Sequence, residues 1–535
     1  MTSLASKIGD RLELGGKFHI WHIFAIALLV HLLLKGYTAV NPKSPKKHEV
    51  IPTVGFLPAW APSFLHNIAF AGYAAKLLHI GYNGFKHEPF RYVRDRTDAI
   101  VLPLTLLAEL AALPSTIASS HDAIAQDLLG SYTGLNSIVE SRLHHQVIHK
   151  RLNPSLHKLA PALEQELGIV LHEHLGHVGQ SEWSSFNPYH VMGMVSARLS
   201  SYIMVGPALS NSDWIELSLK FTESVSKTVI IMRSFPHFLH PLICWFVPSF
   251  WECHRFLQLG QQILGPKIRQ LLYEHDNHSW KPSGSPEDSS LLCWFVEMAR
   301  GQDRTPQTLA RLEVCVTLAA VHTTLLRMVN VLYDITSSEP ELSDKLASEI
   351  VCLKDEFPGW PPHVYDRLHL LDSVFRESQR MSPSTIIGMK RIFKTAHTFS
   401  NGLHIPKGTY ACFPTLCIEN DPDLIRNPDT FDGQRSYREY RQRQQQEPDR
   451  DHSAEFRFSS PGPMALGFGL GRAACPGRFF ATMILKMMFV RLITEYEFQF
   501  PPGHRRPERL SAYEFTFYKP DQEMWIRKRE VHVKE

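Results

Sequence analysis

The sequence has 535 residues, of which 44% are hydrophobic, 20% charged and 11% aromatic, so its composition is that of a globular protein and excludes a disordered chain. Its 56 basic and 53 acidic side chains leave a formal net charge of +3, which gives no electrostatic basis for binding nucleic acid. The 8 cysteines form no C-x-x-C pair and are too few for a disulfide-stapled scaffold, which indicates reduced thiols in a cytosol-facing domain.

The first predicted element is a membrane anchor. The run from Phe18 to Leu34 contains no Asp, Glu, Lys or Arg, and its length is near the lower limit of about 17 residues for a helix that spans a bilayer. A core helix and a signal peptide are the alternatives, but no small-residue cleavage site follows the run. We therefore predict an N-terminal tail at 1–17, a transmembrane anchor at 18–35 and a Pro-rich hinge at 36–64.

Residues 65–535 are predicted to form a mainly α-helical body with small β-sheets. The longest predicted helix starts at Thr305-Pro306, an N-cap followed by proline at the first helical position, and should be buried because it is apolar on nearly every face. Strand-like runs fill 384–412, and the polar stretch 434–460 is predicted to be a solvated surface loop. Helical periodicity also marks the segments 156–175, 213–235, 285–300 and 341–354.

Two motifs in the body imitate known sites. HEHLGH at 172–177 lacks the His pair at i and i+4 that would place two zinc ligands on one helical face, since Gly176 occupies the second position. GFGLGR at 467–472 lacks the third glycine of a dinucleotide loop and the Lys-Ser/Thr pair of a P-loop. We therefore expect neither zinc nor phosphate at these motifs.

Cys475 differs from the other cysteines in its surroundings, FGLGRAACPGRFFA at 468–481. The sequence after Pro476 is helical in character, so Cys475 is predicted at the N-cap, where unpaired backbone N–H groups favour a thiolate. Gly469, Gly471 and Gly477 would let a flat macrocycle approach the backbone closely, and Phe468 could pack against it. The alternative is a buried structural cysteine at a helix start.

Phe468, Gly471, Cys475 and Gly477 resemble the haem-binding signature of the cytochrome P-450 monooxygenases, and CPGRFFA is similar to filamentous-fungal members. The resemblance covers roughly residues 55–530 and implies the P-450 fold. It implies haem b (iron protoporphyrin IX) as cofactor, with Cys475 as the axial thiolate on iron.

The resemblance also implies a substrate, electron donors and a location. The substrate would be a hydrophobic small molecule of fungal secondary metabolism, a terpenoid, alkaloid or polyketide, hydroxylated or otherwise oxidised with O2. Electrons would come from NADPH through NADPH-cytochrome P-450 reductase, with cytochrome b5 as a second donor. The protein would be anchored by a single pass in the endoplasmic reticulum membrane, with its catalytic domain in the cytoplasm.

Further residues are carried over from the family. Glu377 and Arg380 match its Glu-x-x-Arg helix motif, and Arg435 is implied as the third member of a buried structural ion network. In the long helix, Thr323 aligns with a threonine whose hydroxyl relays protons, flanked by His322 and Thr324. His322 stands where an acid is frequent. The alternative for Thr323 is a hydroxyl bonded to the carbonyl four residues earlier.

The sequence departs most from the family at the positions that usually bind the haem propionates. Arg391 aligns with a position that often binds a propionate, and Arg472 lies one residue before Ala473, where the family usually has Arg or His. The family's Trp-x-x-x-Arg pair aligns with His145 and His149, which makes His149 a candidate cofactor contact. Two other functions remain open: the same haem pocket in an isomerase, dehydratase or coupling oxidase, and a non-catalytic haem carrier or sensor.

Overall fold

The computed structural model describes residues 51–58, 61–94, 98–282 and 284–529. The predicted tail, the anchor and residues 36–50 of the predicted hinge lie outside these ranges. The last part of the hinge belongs to the body, since a strand forms at Thr53–Val54 and the first helix begins at Ser63.

Helices make up most of the described chain. In chain order they are α1 Ser63–Gly84, α2 Leu107–Ala112, α3 Ser120–Asp127, α4 Gly130–Thr133, α5 Ser137–Glu140, α6 Leu143–Val147, α7 Asn153–Leu175, α8 Pro188–Val205, α9 Ser212–Arg233, α10 His240–Ile243, α11 Pro248–Asp276, α12 Leu291–Met298, α13 Pro306–Ser337, α14 Pro340–Glu356, α15 His369–Met381, α16 Thr415–Ile418, α17 Arg435–Gln446, α18 Ser453–Phe456 and α19 Arg478–Glu495. A π-helical turn at Ile148–Leu152 joins α6 to α7. Short 3-10 turns lie at Leu104–Leu106, His237–Leu239, Cys244–Phe246, Pro286–Ser289, Gly301–Asp303, Pro362–Arg367 and Gly471–Ala473.

The strands form four small sheets within the described part of the chain. They are β1 Thr53–Val54, β2 Phe90–Tyr92, β3 Ala99–Val101, β4 Ala118–Ser119, β5 Ser184–Phe186, β6 Gly388–Phe393, β7 His397–Thr398, β8 His404–Ile405, β9 Tyr410–Phe413, β10 Tyr496–Gln499, β11 Leu510–Ala512, β12 Phe515–Phe517 and β13 Met524–Lys528. The largest sheet has the order β1-β2-β3-β9-β6-β4, a second has β10-β13-β5, and β7-β8 and β11-β12 are hairpins. The pairing of β4 with β6 sets Ser119 opposite Ile392, which brings the start of α3 next to Arg391.

The long helix α13 lies at the centre of the body. It packs against α8, α9 and α11, and α15 and α19 also contact it. By length and composition α13 could cross a membrane, but 72% of its most apolar window is buried inside the body, so it is a core helix. Thr305 is its N-cap, with the side chain accepting a hydrogen bond from the Thr308 N–H.

The predicted architecture of a mainly helical body with small sheets is confirmed. The helix predicted at 285–300 is shorter, since a 3-10 turn precedes α12. The predicted loop at 434–460 was wrong in its first half, which forms α17. This helix has no buried face, so its polar sequence looks like a loop, yet its Tyr437 N–H donates to Ser373 Oγ of α15 at 3.0 Å.

Candidate active site

The loop before α19 holds Cys475 in a closed backbone turn. The Cys475 N–H donates to the Phe468 carbonyl at 2.7 Å, and the Ala474 N–H donates to the Gly471 carbonyl at 3.1 Å. Gly469 and Gly471 adopt φ values of +73° and +68°, a backbone conformation that strongly favours glycine. A Cβ on Gly471 would also lie 2.5 Å from the Ala111 carbonyl oxygen of α2. Gly471 is therefore required by both its conformation and its contact with α2.

The sulfur of Cys475 lies in front of the first turn of α19. The predicted N-cap was wrong, because residues 476–477 form a turn and Gly477 is the cap. The backbone N–H groups of Gly477 and Arg478 nevertheless follow the cysteine directly, at the start of the helix where they have no partner four residues earlier within it. Burial raises the pKa of the Cys475 thiol above its ordinary value, while these donors and the Arg478 guanidinium act in the opposite direction. The donor set suits a thiolate that carries a metal ion.

Thr323 is on the open face of α13. Its side chain is exposed, as is Ala319, and its hydroxyl donates to the Ala319 carbonyl at 2.7 Å. Consecutive helical residues point in different directions, and Thr324 is buried while the His322 ring lies edge-on to Tyr189 of α8. Burial lowers the pKa of His322 to about 4, so this imidazole is neutral at neutral pH. The structure thus exposes Thr323 on α13, while Thr324 is buried and His322 packs against Tyr189.

Arg391 is a buried cation with no anionic partner among the described residues. The residue is 3% exposed, and Nη1 donates only to the carbonyl of its neighbour Lys390 at 2.8 Å. Burial lowers the pKa of Arg391 to about 10, with no contribution from any carboxylate. An unpaired buried guanidinium fits the propionate of the haem that the resemblance implies. Arg472, by contrast, is exposed in the 3-10 turn before Cys475.

His149 belongs to a row of histidines. Its ring lies 4.6 Å from that of His145, which in turn lies 6.3 Å from that of His121 at the start of α3. Desolvation, and to a smaller extent the Arg478 charge, lowers the pKa of His149. Asn153, one turn later, donates to the Pro476 carbonyl at 3.2 Å. The row of histidines extends from the strand pair that carries Arg391 towards Cys475. The sequence alone did not indicate His121, because it is distant from His145 and His149 along the chain.

Glu377, Arg380 and Arg435 come together in a buried network. Arg380 binds Glu377 through two hydrogen bonds of 2.9 and 2.7 Å, and Arg435 binds the same carboxylate at 3.1 and 3.2 Å. The two arginines also donate to the Arg426 and Pro428 carbonyls. Glu377 is 3% exposed, so the network pairs a buried charge and fastens the 426–435 segment to α15.

A second buried ion pair on α15 was missed. Lys486 of α19 donates to Asp372 Oδ2 at 2.6 Å, and both residues are almost fully buried. A signal existed in the sequence: Lys486 is a single charge inside the apolar run FFATMILKMMFV, and a buried lysine needs a partner. The partner could not be identified, because many acidic residues were equally possible.

Comparison with known proteins gives consistent matches over most of the chain. A protein-family model described as Cytochrome P450 matches residues 114–524. The chain is 32% identical over 481 residues to cytochrome P450 monooxygenase AN1598 of Emericella nidulans, covering 90% of this chain and 88% of that protein. It is 33% identical over 503 residues to cytochrome P450 monooxygenase paxP of Penicillium paxilli, covering 92% of each. It is 28% identical over 485 residues to ent-kaurene oxidase of Gibberella intermedia, covering 90% and 88%.

Proposed function

This chain belongs to the cytochrome P450 family of haem-dependent monooxygenases, and we propose that Cys475 is its axial haem ligand. The observation that carries the proposal is the place of Cys475 directly before α19, where the backbone N–H groups of Gly477 and Arg478 act to lower the pKa of its thiol. Such donors compensate a thiolate and tune the metal that it binds. The enzyme oxidises hydrophobic small molecules, and its relatives are named monooxygenases and oxidases, which favours oxygen insertion over isomerisation, dehydration or haem transport.

The residues around the loop have separate tasks in this proposal. When bound, haem supplies the iron at which O2 is activated for transfer of one oxygen atom to the substrate. Arg391 would pair with a propionate, and His149 and Arg472 are the other proposed propionate contacts. Phe468, Gly471 and Gly477 would form the surface beneath the macrocycle. The Glu377–Arg380–Arg435 network would stabilise the position of the cysteine loop by holding the 426–435 segment on α15.

Thr323 is the proposed proton relay. Its hydroxyl donates to the Ala319 carbonyl, so its oxygen lone pairs remain free to accept a proton-bearing water or ligand. His322 has a lowered pKa and faces Tyr189, so it cannot take the place of a charged acid at neutral pH. We infer that the proton reaches Thr323 through solvent on the exposed face of α13, with Thr324 buried and His322 packed against Tyr189.

The substrate is proposed to be a terpenoid-like molecule of fungal secondary metabolism. The exposed face of α13 next to Thr323 presents Ala319 and the half-buried Leu318 and Ala320, which bind by apolar contact. Two relatives are named ent-kaurene oxidases, and ent-kaurene is a hydrocarbon. Alkaloids and polyketides with large apolar parts are the other candidate substrates. Electrons are proposed to come from NADPH through a membrane-bound reductase, with cytochrome b5 as a second donor.

Membrane attachment is proposed from two features. The segment 18–35, which contains the apolar run from Phe18 to Leu34, is the proposed single-pass anchor in the endoplasmic reticulum, and it lies outside the described residues. Within the described part of the chain, the segment between α9 and α11 exposes large apolar side chains: Phe238, Leu242, Trp245 and Phe246. We name this set the apolar tip. Phe246 is 79% exposed, and such a concentration of exposed rings favours contact with lipid.

The ligand assignment is tested by Cys475→Ser, because serine cannot supply a thiolate. Wild-type protein reconstituted with haem should show, after reduction and CO addition, the red-shifted Soret band that thiolate ligation produces. Cys475→Ser should lose that band. Cys352→Ser is the matched control, since Cys352 is an exposed free thiol on α14, and it should keep the band. A red-shifted band in Cys475→Ser would refute the assignment.

A further inference from the structure

Lys486 is a buried cation whose contacts lead back to the cysteine loop. It lies in α19, is 2% exposed, and donates to the Tyr365 carbonyl at 2.8 Å as well as to Asp372 Oδ2. Burying two charges costs desolvation energy, and well-packed apolar residues at such sites are often as stable or more stable. A contribution to folding stability therefore does not explain why the pair is present. The explanation has to come from the groups that the pair contacts.

Asp372 connects this cation to the segment that precedes the loop. Its second oxygen, Oδ1, accepts a hydrogen bond from the Phe458 N–H at 2.9 Å. One helical turn further along α15, Arg376 donates to the carbonyls of the same segment: Glu455, Arg457 and Ser460. Both carboxylate oxygens of Asp372 are thus used, one on α19 and one on the backbone at 458.

From Phe458 the contacts continue to Cys475. The Phe458 ring meets the Phe468 ring edge-on at 5.0 Å, and the Phe468 carbonyl accepts from the Cys475 N–H. Arg478 bridges the same two segments, since Nε donates to the Ser459 carbonyl at 3.1 Å and Nη1 to the Cys475 carbonyl at 2.8 Å. The contacts form a ring that leaves α19 at Lys486 and returns to it at Arg478.

We propose that Asp372 and Lys486 are positioning residues for Cys475, acting through Phe458 and Arg478 to place the sulfur beneath the haem. This inference rests on the proposed role of Cys475 as the axial ligand. It is separate from the Glu377 network, which fastens the 426–435 segment and makes none of the contacts in this ring. Outer contacts of this kind typically change metal-site affinity by about 10-fold or more when removed.

The test replaces the pair by apolar residues in the full-length haem-loaded enzyme, as Asp372→Leu with Lys486→Met. Neither member of the pair is left behind without the other, so the fold should survive, as circular dichroism will show. We expect the ferrous–CO spectrum to shift from the red-shifted band towards the shorter-wavelength form in which thiolate ligation is lost, and haem transfer to apomyoglobin to be about 10-fold faster.

The matched control is Arg491→Met with Glu495→Leu, which removes an ion pair from the same helix at a position without contact to the loop. It should keep the wild-type spectrum and haem-loss rate. If the double variant fails to fold, Asp372→Asn with Lys486→Met also removes both charges but keeps an acceptor for the Phe458 N–H, and it should show a smaller shift in the same direction.

Unchanged spectra and haem-loss rates in the folded variants would overturn the inference while leaving Cys475 as ligand. Absence of the red-shifted band from the wild-type protein would instead contradict the proposed function, so the two failures can be told apart. Asp372→Glu keeps a carboxylate at this position. A spectrum closer to that of the wild-type protein than to that of the apolar variant would support positioning by the carboxylate, since a general loss of packing would not depend on the charge.

Discussion

Glu313 in α13 is a buried acid without a partner. The residue has no exposed surface, and neither carboxylate oxygen has a hydrogen-bond partner among the described residues. Burial raises its pKa well above the ordinary value and so favours the neutral acid in the folded protein. Such a group destabilises the fold, because water solvates it in the unfolded chain and nothing replaces that water in the core.

We expect Glu313→Met to raise the free energy of unfolding by about 1–3 kcal/mol at neutral pH. The folded pKa is raised, so wild-type stability is fully present below the unfolded pKa and falls as pH increases towards the folded pKa. The gain in the variant should therefore be larger at pH 7 than at pH 4.5. Urea denaturation at both pH values measures it. Glu313→Gln should also show a weaker pH dependence of stability than the wild-type protein, but a smaller gain in the free energy of unfolding, since its amide stays unpaired. Equal gains for Glu313→Met at both pH values would contradict this account.

At the scale of elements, buried charges join α9 to the hairpin β11–β12. Arg233, the last residue of α9, makes two hydrogen bonds of 3.1 and 3.0 Å to Glu514 in the hairpin turn. Lys390 of β6 lies 3.8 Å from Glu514 and 3.0 Å from Asp127 of α3. Burial alone would raise the pKa of Glu514, but Arg233 and the neighbouring cations hold it below its ordinary value.

Arg233→Met should destabilise the protein by about 3–5 kcal/mol, because it leaves Glu514 buried beside fewer cations. Adding Glu514→Gln should recover much of the loss, and a double-mutant cycle from urea denaturation measures the coupling. The depressed pKa of Glu514 contributes stability above the pKa of the unfolded state, and this stability is lost as pH falls through the folded pKa. The loss of stability at acid pH should therefore be larger in the wild-type protein than in the double variant, which keeps Asp127 but lacks Glu514. Additive effects of the two substitutions would refute the link.

Local signals predicted some elements well and failed at others for a physical reason. Thr305-Pro306 marks the start of α13 because an N-cap and the proline after it act within one turn. The segment that forms α17 carries no apolar periodicity, and it is held instead by Arg435 on Glu377, which no local pattern shows. The Asp372–Lys486 pair likewise joins residues 114 positions apart, and such pairings follow from the fold rather than from nearby sequence.

At the scale of the whole molecule, the apolar tip is close to α1. Asn67 of α1 donates to the Arg233 carbonyl, where the segment that carries the tip begins. The outer side of α1 exposes Ile68, Tyr73 and Ile80, so two neighbouring elements present apolar side chains to solvent. Together they form a surface that fits a lipid headgroup region, with the proposed anchor preceding α1 in the chain.

Membrane contact by the apolar tip can be measured in the full-length chain bound to vesicles. Lipid-borne bromine atoms should quench part of the tryptophan fluorescence, and Trp245→Ser should remove a share of that quenching, since Trp245 is 63% exposed. Trp183, which stacks on Arg527 near the β10-β13-β5 sheet, is the control, and Trp183→Ser should leave lipid quenching unchanged. Equal quenching in all three proteins would exclude the tip from the bilayer.

The ring of contacts that closes through Lys486 has a consequence for how the enzyme is made. Asp372 is translated 114 residues before Lys486, so the contacts that hold the proposed haem loop are incomplete until α19 has been synthesised and has docked on α15. We therefore expect cofactor capture to be a late event in biogenesis that follows the final part of translation. A host that supplies iron porphyrin only early in expression should accumulate apoprotein, and supplementation timed to chain release should raise the yield of loaded enzyme.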